Sequence, residues 1–68
     1  MRKISIKTDF ITLGQLLKMT DLIASGGEAK IFLLSHNIYV NSEAETRRGR
    51  KLRIGDEVLV LGQKFIIG

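Results

Sequence analysis

The sequence predicts an α+β fold in which a helix pair packs on a small, mostly antiparallel β-sheet. Three observations carry this. An alternating apolar stretch opens the chain, and two helical patterns with start signals follow. Beyond Asn37 there are only short apolar runs broken by Asn- and Gly-containing turns. Sixty-eight residues make one domain, taken here as residues 1–68. A chain of this size buries only about 60% of the surface it exposes when unfolded, so its core has to be economical. Hydrophobic residues at 44% and charged residues at 26% describe a folded chain rather than a disordered one.

The elements follow in order. Over residues 3–7, Ile4 and Ile6 alternate with Lys3, Ser5 and Lys7, the period of a strand with one buried face. Thr12 is the N-cap of a first helix over Leu13 to Met19. Gln15 completes a capping box, and Ile11 and Leu16 stand at the positions of a hydrophobic staple. Leu13, Leu16 and Leu17 face the core. Gly14 weakens the helix by about 1 kcal/mol relative to alanine, so close packing is expected there. Leu22 and Ile23 plug the corner before a second helix, which Ser25 caps with Glu28 as its box partner. Ala29, Phe32, Leu33 and His36 share one face of that helix. Ile31 and Leu34 widen its apolar surface, which predicts burial on more than one side. Asn37 is the expected left-handed C-cap.

A strand over residues 38–41 then turns at Asn41-Ser42-Glu43, and residues 44–46 pair back on it. Arg47 to Lys51 form a basic loop with Gly49 as its hinge. Leu52 and Ile54 return to the core, and Gly55-Asp56 makes a turn. Residues 57–61 form an apolar strand, joined through a Gly62-Gln63 hairpin to a last strand over residues 64–67.

Composition narrows the function classes. The absence of cysteine removes disulfides, thiolate metal sites and cysteine nucleophiles, and fits a reducing, cytoplasmic setting. Residues 1–7 lack the apolar run of a signal peptide, and no stretch is long enough to span a bilayer. His36 has no companion ligands and reads as a partly packed helix-end residue, so no metal or other cofactor is expected. Asp56 and Glu57 are neighbours on a strand and face opposite ways, so they do not form a paired-carboxylate site. No nucleophile, base and orienter assemble, and an enzyme is the least favoured class.

Charge points the other way. Eleven Lys and Arg stand against seven Asp and Glu, a net charge of +4, and five of the eleven lie between Arg47 and Arg53. In so small a chain this favours a polyanionic partner. Arg47, Arg48, Arg50 and Lys51 are the main candidates, because arginine offers phosphate a bidentate fork and lysine a point charge. The plain alternative is a solvated loop whose charges serve solubility. Ser25, Gly26 and Gly27 offer free N–H groups at a helix start, an arrangement that suits anions, but Glu28 opposes one there and an ordinary capping box explains the same residues. The missing Lys-Ser or Lys-Thr pair rules out a nucleotide-phosphate loop. Tyr39 is a candidate for base stacking, whereas Phe32 reads as core.

The stretch from Ile11 to Val60 resembles the RNA-binding domain first named from ribosomal small-subunit protein four, the S-four domain. The shared pattern is Leu16-Leu17 on helix one, Ser25 and Ala29-Lys30 on helix two, Val40-Asn41 at a strand end, and Gly55-Asp56 before the last core strand. The run Arg47-Arg48-Gly49-Arg50-Lys51-Leu52 and the Gly26-Gly27 start are similar to short stand-alone bacterial members called YaaA-like. The resemblance implies the α-L motif over residues 11–60, with the strands at 3–7 and 64–67 extending its sheet. It also implies structured RNA, ribosomal above all, as partner, and places Lys30, with Lys18 from helix one, on the RNA face. Two departures stand out: Ser42 replaces a frequent glycine, and Gly26, Gly27 and Glu28 replace frequent arginines, which shifts positive charge from helix to loop. A monomer without small-molecule substrate follows from this reading. The competing classes are a protein–protein adaptor docking through a sheet edge or the C-terminal hairpin, and a DNA-binding module.

Overall fold

The computed structural model describes residues 1–68. Its elements are β1 (Arg2–Ile4), β2 (Ile11–Thr12), α1 (Leu13–Met19), α2 (Ala29–Ser35), β3 (Ile38–Val40), β4 (Glu43–Ala44), β5 (Lys51–Leu52), β6 (Glu57–Val60) and β7 (Gln63–Ile67). A single 3-10 turn at Gly26–Glu28 leads into α2. Five strands form one sheet in the order β1-β7-β6-β3-β4, while β2 and β5 form a separate antiparallel pair. Only β1 and β7 run parallel, so the α+β, mostly antiparallel architecture read from the sequence is the one found. Alternation along the strands turns Ile4, Ile38, Val40, Val58, Val60, Phe65 and Ile67 inward. Leu13, Leu16 and Leu17 of α1 and Ala29 and Leu33 of α2 meet them, with Ile11, Ile23 and Leu52 sealing the rim. Truncating any one of these buried leucines to alanine costs about 2–5 kcal/mol, a large share of a small domain's stability.

α1 starts and stops for identifiable reasons. The Gln15 N–H donates to Thr12 Oγ1 at 3.2 Å, and the Thr12 N–H donates to Gln15 Oε1 at 2.8 Å, which completes the expected capping box. At the other end Asp21 takes φ +59°, the Asp21 N–H donates to the Lys18 carbonyl at 3.1 Å, and the Leu22 N–H donates to the Leu17 carbonyl at 3.0 Å. That is a Schellman motif, and it folds Leu22 and Ile23 back onto the core.

The Asn41 and Asp56 turns, which carried much of the resemblance, are bonded to each other. Asn41 Nδ2 donates to Asp56 Oδ1 at 3.1 Å, the Glu57 N–H donates to Asn41 Oδ1 at 2.9 Å, and Asp56 Oδ2 accepts the Arg53 N–H at 2.8 Å. Asn41 and Ser42 have φ of +52° and +71°, as a two-residue type I′ hairpin between Val40 and Glu43 requires. The positive φ at Ser42 is a conformation that glycine would adopt without strain.

Several expectations are corrected. Ser25 makes no side-chain cap and the Ser25–Glu28 capping box is not formed. The Gly26–Glu28 segment winds tightly instead, so the Glu28 N–H bonds the Ser25 carbonyl and the Ala29 N–H bonds the Gly26 carbonyl. Asn37 is not left-handed, because α2 ends at His36 with φ −133° and the chain runs straight into β3. α2 is buried on one face only: Ala29 and Leu33 point in, while Ile31 and Leu34 are 69% and 70% exposed. His36 stacks on Phe32 with ring centroids 4.4 Å apart. Ile54 is exposed rather than core, since the turn that begins at Arg53 carries it outward. β1 stops at Ile4 instead of reaching Lys7, because its partner β7 ends opposite at Ile67. The last hairpin turns at Leu61-Gly62, one residue earlier than expected, with Val60 paired to Gln63.

Candidate nucleic-acid interface

The basic loop is organised by an acid. Glu45 follows β4, its N–H donates to the Ile38 carbonyl at 2.9 Å, and at only 8% exposed it is the one buried charged residue. Its carboxylate accepts five hydrogen bonds. The Thr46 and Arg47 N–H groups reach Oε2 at 3.1 and 3.2 Å. Arg47 closes a bidentate fork through Nε to Oε2 and Nη2 to Oε1, both 3.1 Å, and Arg50 Nη1 adds a bond to Oε1 at 3.2 Å. The Arg47 guanidinium hydrogen bond is the largest cause holding the Glu45 carboxyl down to about 2 from its ordinary 4.5; burial opposes it and the two backbone donors assist it. The same pairing raises Arg47 above its ordinary value.

The loop so held lies against the start of α1. The Arg48 carbonyl accepts the Gly14 N–H at 2.9 Å and the Arg50 carbonyl accepts the Leu13 N–H at 2.8 Å, which satisfies two amides that a helix start leaves free. A Cβ on Gly14 would stand 3.4 Å from the Arg48 carbonyl oxygen and 3.7 Å from Ala29 Cβ. Loop, α1 and α2 thus converge at position 14, the close packing expected there, with room for a methyl group in ordinary contact. Gly49 has open space around it and is not left-handed, so nothing in its conformation demands the hinge role read from the sequence.

Where the three segments meet there is an open groove lined by Thr12, Gly14, Gln15, Lys18, Gly26, Ala29, Arg48 and Gly49. Four of these are glycine or alanine, so backbone is accessible between the two cations. Lys18, Gly26 and Arg48 are thus brought together. Ser25, Gly27 and Lys30 are exposed beside the groove but do not line it. Lys51 pairs in register with Thr12 at the groove's end. Its Nζ lies 4.9 Å from the Phe10 ring centroid, and Arg53 Cζ lies 5.5 Å from the same ring. Lys18, Lys30, Arg48, Lys51 and Arg53 are in no ion pair, unlike Arg47 and Arg50.

A larger hollow lies on the sheet, lined by Tyr39, Asn41, Ser42, Glu57, Val58, Leu59 and Lys64. Its only cation, Lys64, is paired with Glu57 at 3.2 Å, so it is a poor anion site. No helix is long and apolar enough to cross a membrane.

Two contributors to the basic surface, Phe10 and Arg53, were not among the residues singled out from the sequence. Arg53 was visible as part of the charge cluster. Glu45, two residues before Arg47, was visible as a possible counter-ion, but its burial depends on β4 folding back along β3.

A family model for the S4 domain matches residues 4–68. The Probable ribosome maturation protein RlbA of Bacillus subtilis (strain 168) is 58% identical to this chain over 59 residues, which cover 87% of the chain and 83% of the relative. With a family match over nearly the whole length and so similar a relative, the chain belongs to the S4 domain family of RNA-binding domains.

Proposed function

We propose that this protein binds structured RNA, ribosomal RNA first, by shape and phosphate contact rather than by base sequence, and that it binds without catalysing a reaction. The observation that carries this is the groove in which Arg48 of the basic loop and Lys18 of α1 face small residues at the start of α2, with no acid paired to either cation. Phosphate contacts position a nucleic acid without reading its bases, and duplex RNA presents mainly backbone and 2′-hydroxyls. The proposed surface comprises Lys18, Ser25, Gly26, Gly27, Lys30, Arg48 and Lys51, with Arg47 and Arg50 in the same loop but paired to Glu45. The relative's name, a ribosome maturation protein, supports ribosomal RNA as the target and a step in ribosome assembly as the setting. On this reading the protein works in the cytoplasm as a monomer.

The test is a salt titration of affinity for a transcribed junction fragment of ribosomal RNA, comparing the wild type with a Lys18→Glu, Arg48→Glu double variant. Each lost phosphate contact lowers the slope of log affinity against log salt by roughly 0.7–0.9. An unchanged affinity and slope would remove the groove as the site. A protein-docking role has one feature in its favour, the exposed Ile31 and Leu34 on α2. That role predicts a protein partner that stays bound after nuclease treatment and in high salt.

A further inference from the structure

We infer that Glu45 is the positioning residue of this interface: it commits Arg47 and Arg50 as braces of the loop and leaves phosphate contact to Arg48, Lys18 and the Lys51–Arg53 strip. The division between contact and brace rests on the RNA reading above, whereas the brace itself does not.

The geometry separates the loop's cations into two kinds. Arg47 commits both Nε and Nη2 to Glu45, so the side-on fork that would grip a phosphate is already filled. Arg50 commits Nη1 to the same carboxylate and is 32% exposed. The Arg50 N–H also closes a turn on the Arg47 carbonyl at 3.2 Å. Between the two braces stands Arg48. It has no ion pair, and its carbonyl is pinned to Gly14 while its side chain borders the groove. Lys51 and Arg53 are likewise unpaired and are steadied by the Phe10 ring rather than by an acid. A buried carboxylate within a basic loop lowers the local positive charge, which by itself opposes RNA binding. Here it collects two guanidinium groups and two backbone amides at one point, which sets the path of residues 45–50 and therefore where Arg48 projects.

This yields a test in which simple electrostatics and positioning predict opposite signs. Glu45→Gln keeps the side chain's shape and raises the formal charge by one from +4. If Glu45 were only a counter-charge, RNA would bind more tightly. As the positioning residue, its loss releases the loop, which must then be ordered on binding. Affinity for the junction fragment then falls about tenfold in about 100 mM salt, and backbone amide exchange across residues 46–50 quickens by a similar factor. Equal or tighter binding by Glu45→Gln, or unchanged exchange, overturns the inference. Two variants that keep Glu45 check the division of labour. Arg48→Gln loses roughly 0.7–0.9 of the salt slope, and Arg47→Gln loses less than half of that. Equal losses would show Arg47 to be a contact residue and refute the division. Should the wild-type protein fail to bind the fragment at all, the RNA reading falls, and the exchange comparison alone then decides whether Glu45 is the brace.

Discussion

The Glu45 carboxylate makes the protein's stability depend on pH in a defined direction. Its carboxyl is held at about 2, against an ordinary value of 4.5. A group shifted downward on folding stabilises the folded state above its unfolded value, and that contribution is lost as pH falls toward its folded value. Linkage over that interval corresponds to about 3 kcal/mol at neutral pH. The figure has to be discounted, because Arg47 is 71% exposed and solvent screens the pair. About 1–2 kcal/mol is the working magnitude. Glu45→Gln should therefore lower stability by that amount at pH 7, a fall in Tm of about 5–15 °C for a chain of this size. The gap between wild type and variant should narrow below about pH 4.5 and close near pH 2, because protonation removes from the wild type what the variant already lacks. Urea unfolding followed by far-ultraviolet circular dichroism at a series of pH values measures this, and the absence of tryptophan leaves dichroism as the natural probe. A gap that stays constant from pH 7 down to about pH 2.5 would refute the linkage argument. It would mean that the variant's loss comes from exchanging an acceptor oxygen for an amide NH2, not from the lost charge.

Three further outcomes follow from the same structure. Leu61 is half exposed and has φ +50° at the first position of a type I′ hairpin, so Leu61→Asn, giving the favoured Asn-Gly turn, should raise stability by about 1 kcal/mol in thermal unfolding. Gly14→Ala should stay within about 1 kcal/mol of wild type, because helix propensity gained offsets the 3.4 Å contact, whereas the branched carbons of Gly14→Val should push the loop off α1 and cost about 1–3 kcal/mol. Asp56→Ala removes the acceptor for both Arg53 N–H and Asn41 Nδ2 and should cost about 1–2 kcal/mol in urea unfolding, with a smaller loss for Asp56→Asn.

Most of the fold was legible because its causes are local. The Thr12–Gln15 capping box, the inward leucines of α1 and the period-two strands are set by residues within a few positions of one another. The capping box and the inward leucines hold in the structure as read, and the strands hold in kind though β1 stops at Ile4. The readings that went astray concern local signals overruled by context. Ser25 could cap a helix, but two following glycines allowed a tighter turn that satisfied the same amides with backbone carbonyls. Ile31 and Leu34 are apolar enough for a core, yet the sheet offers α2 only one face to pack against. Asn37 could turn left-handed, but β3 needed an extended exit.

The candidate interface divides along the same line. Composition and order alone established a small α+β chain with its positive charge concentrated at residues 47–53, because charge count and hydrophobic period belong to the sequence itself. Which arginines are free was decided only in three dimensions. Glu45 becomes buried because β4 returns along β3, and the loop is held to α1 because the Leu13 and Gly14 N–H groups bond the Arg50 and Arg48 carbonyls. The loop–helix contacts join residues more than 30 positions apart, and with the β3–β4 return they turn four similar cations into two paired to Glu45 and two left unpaired.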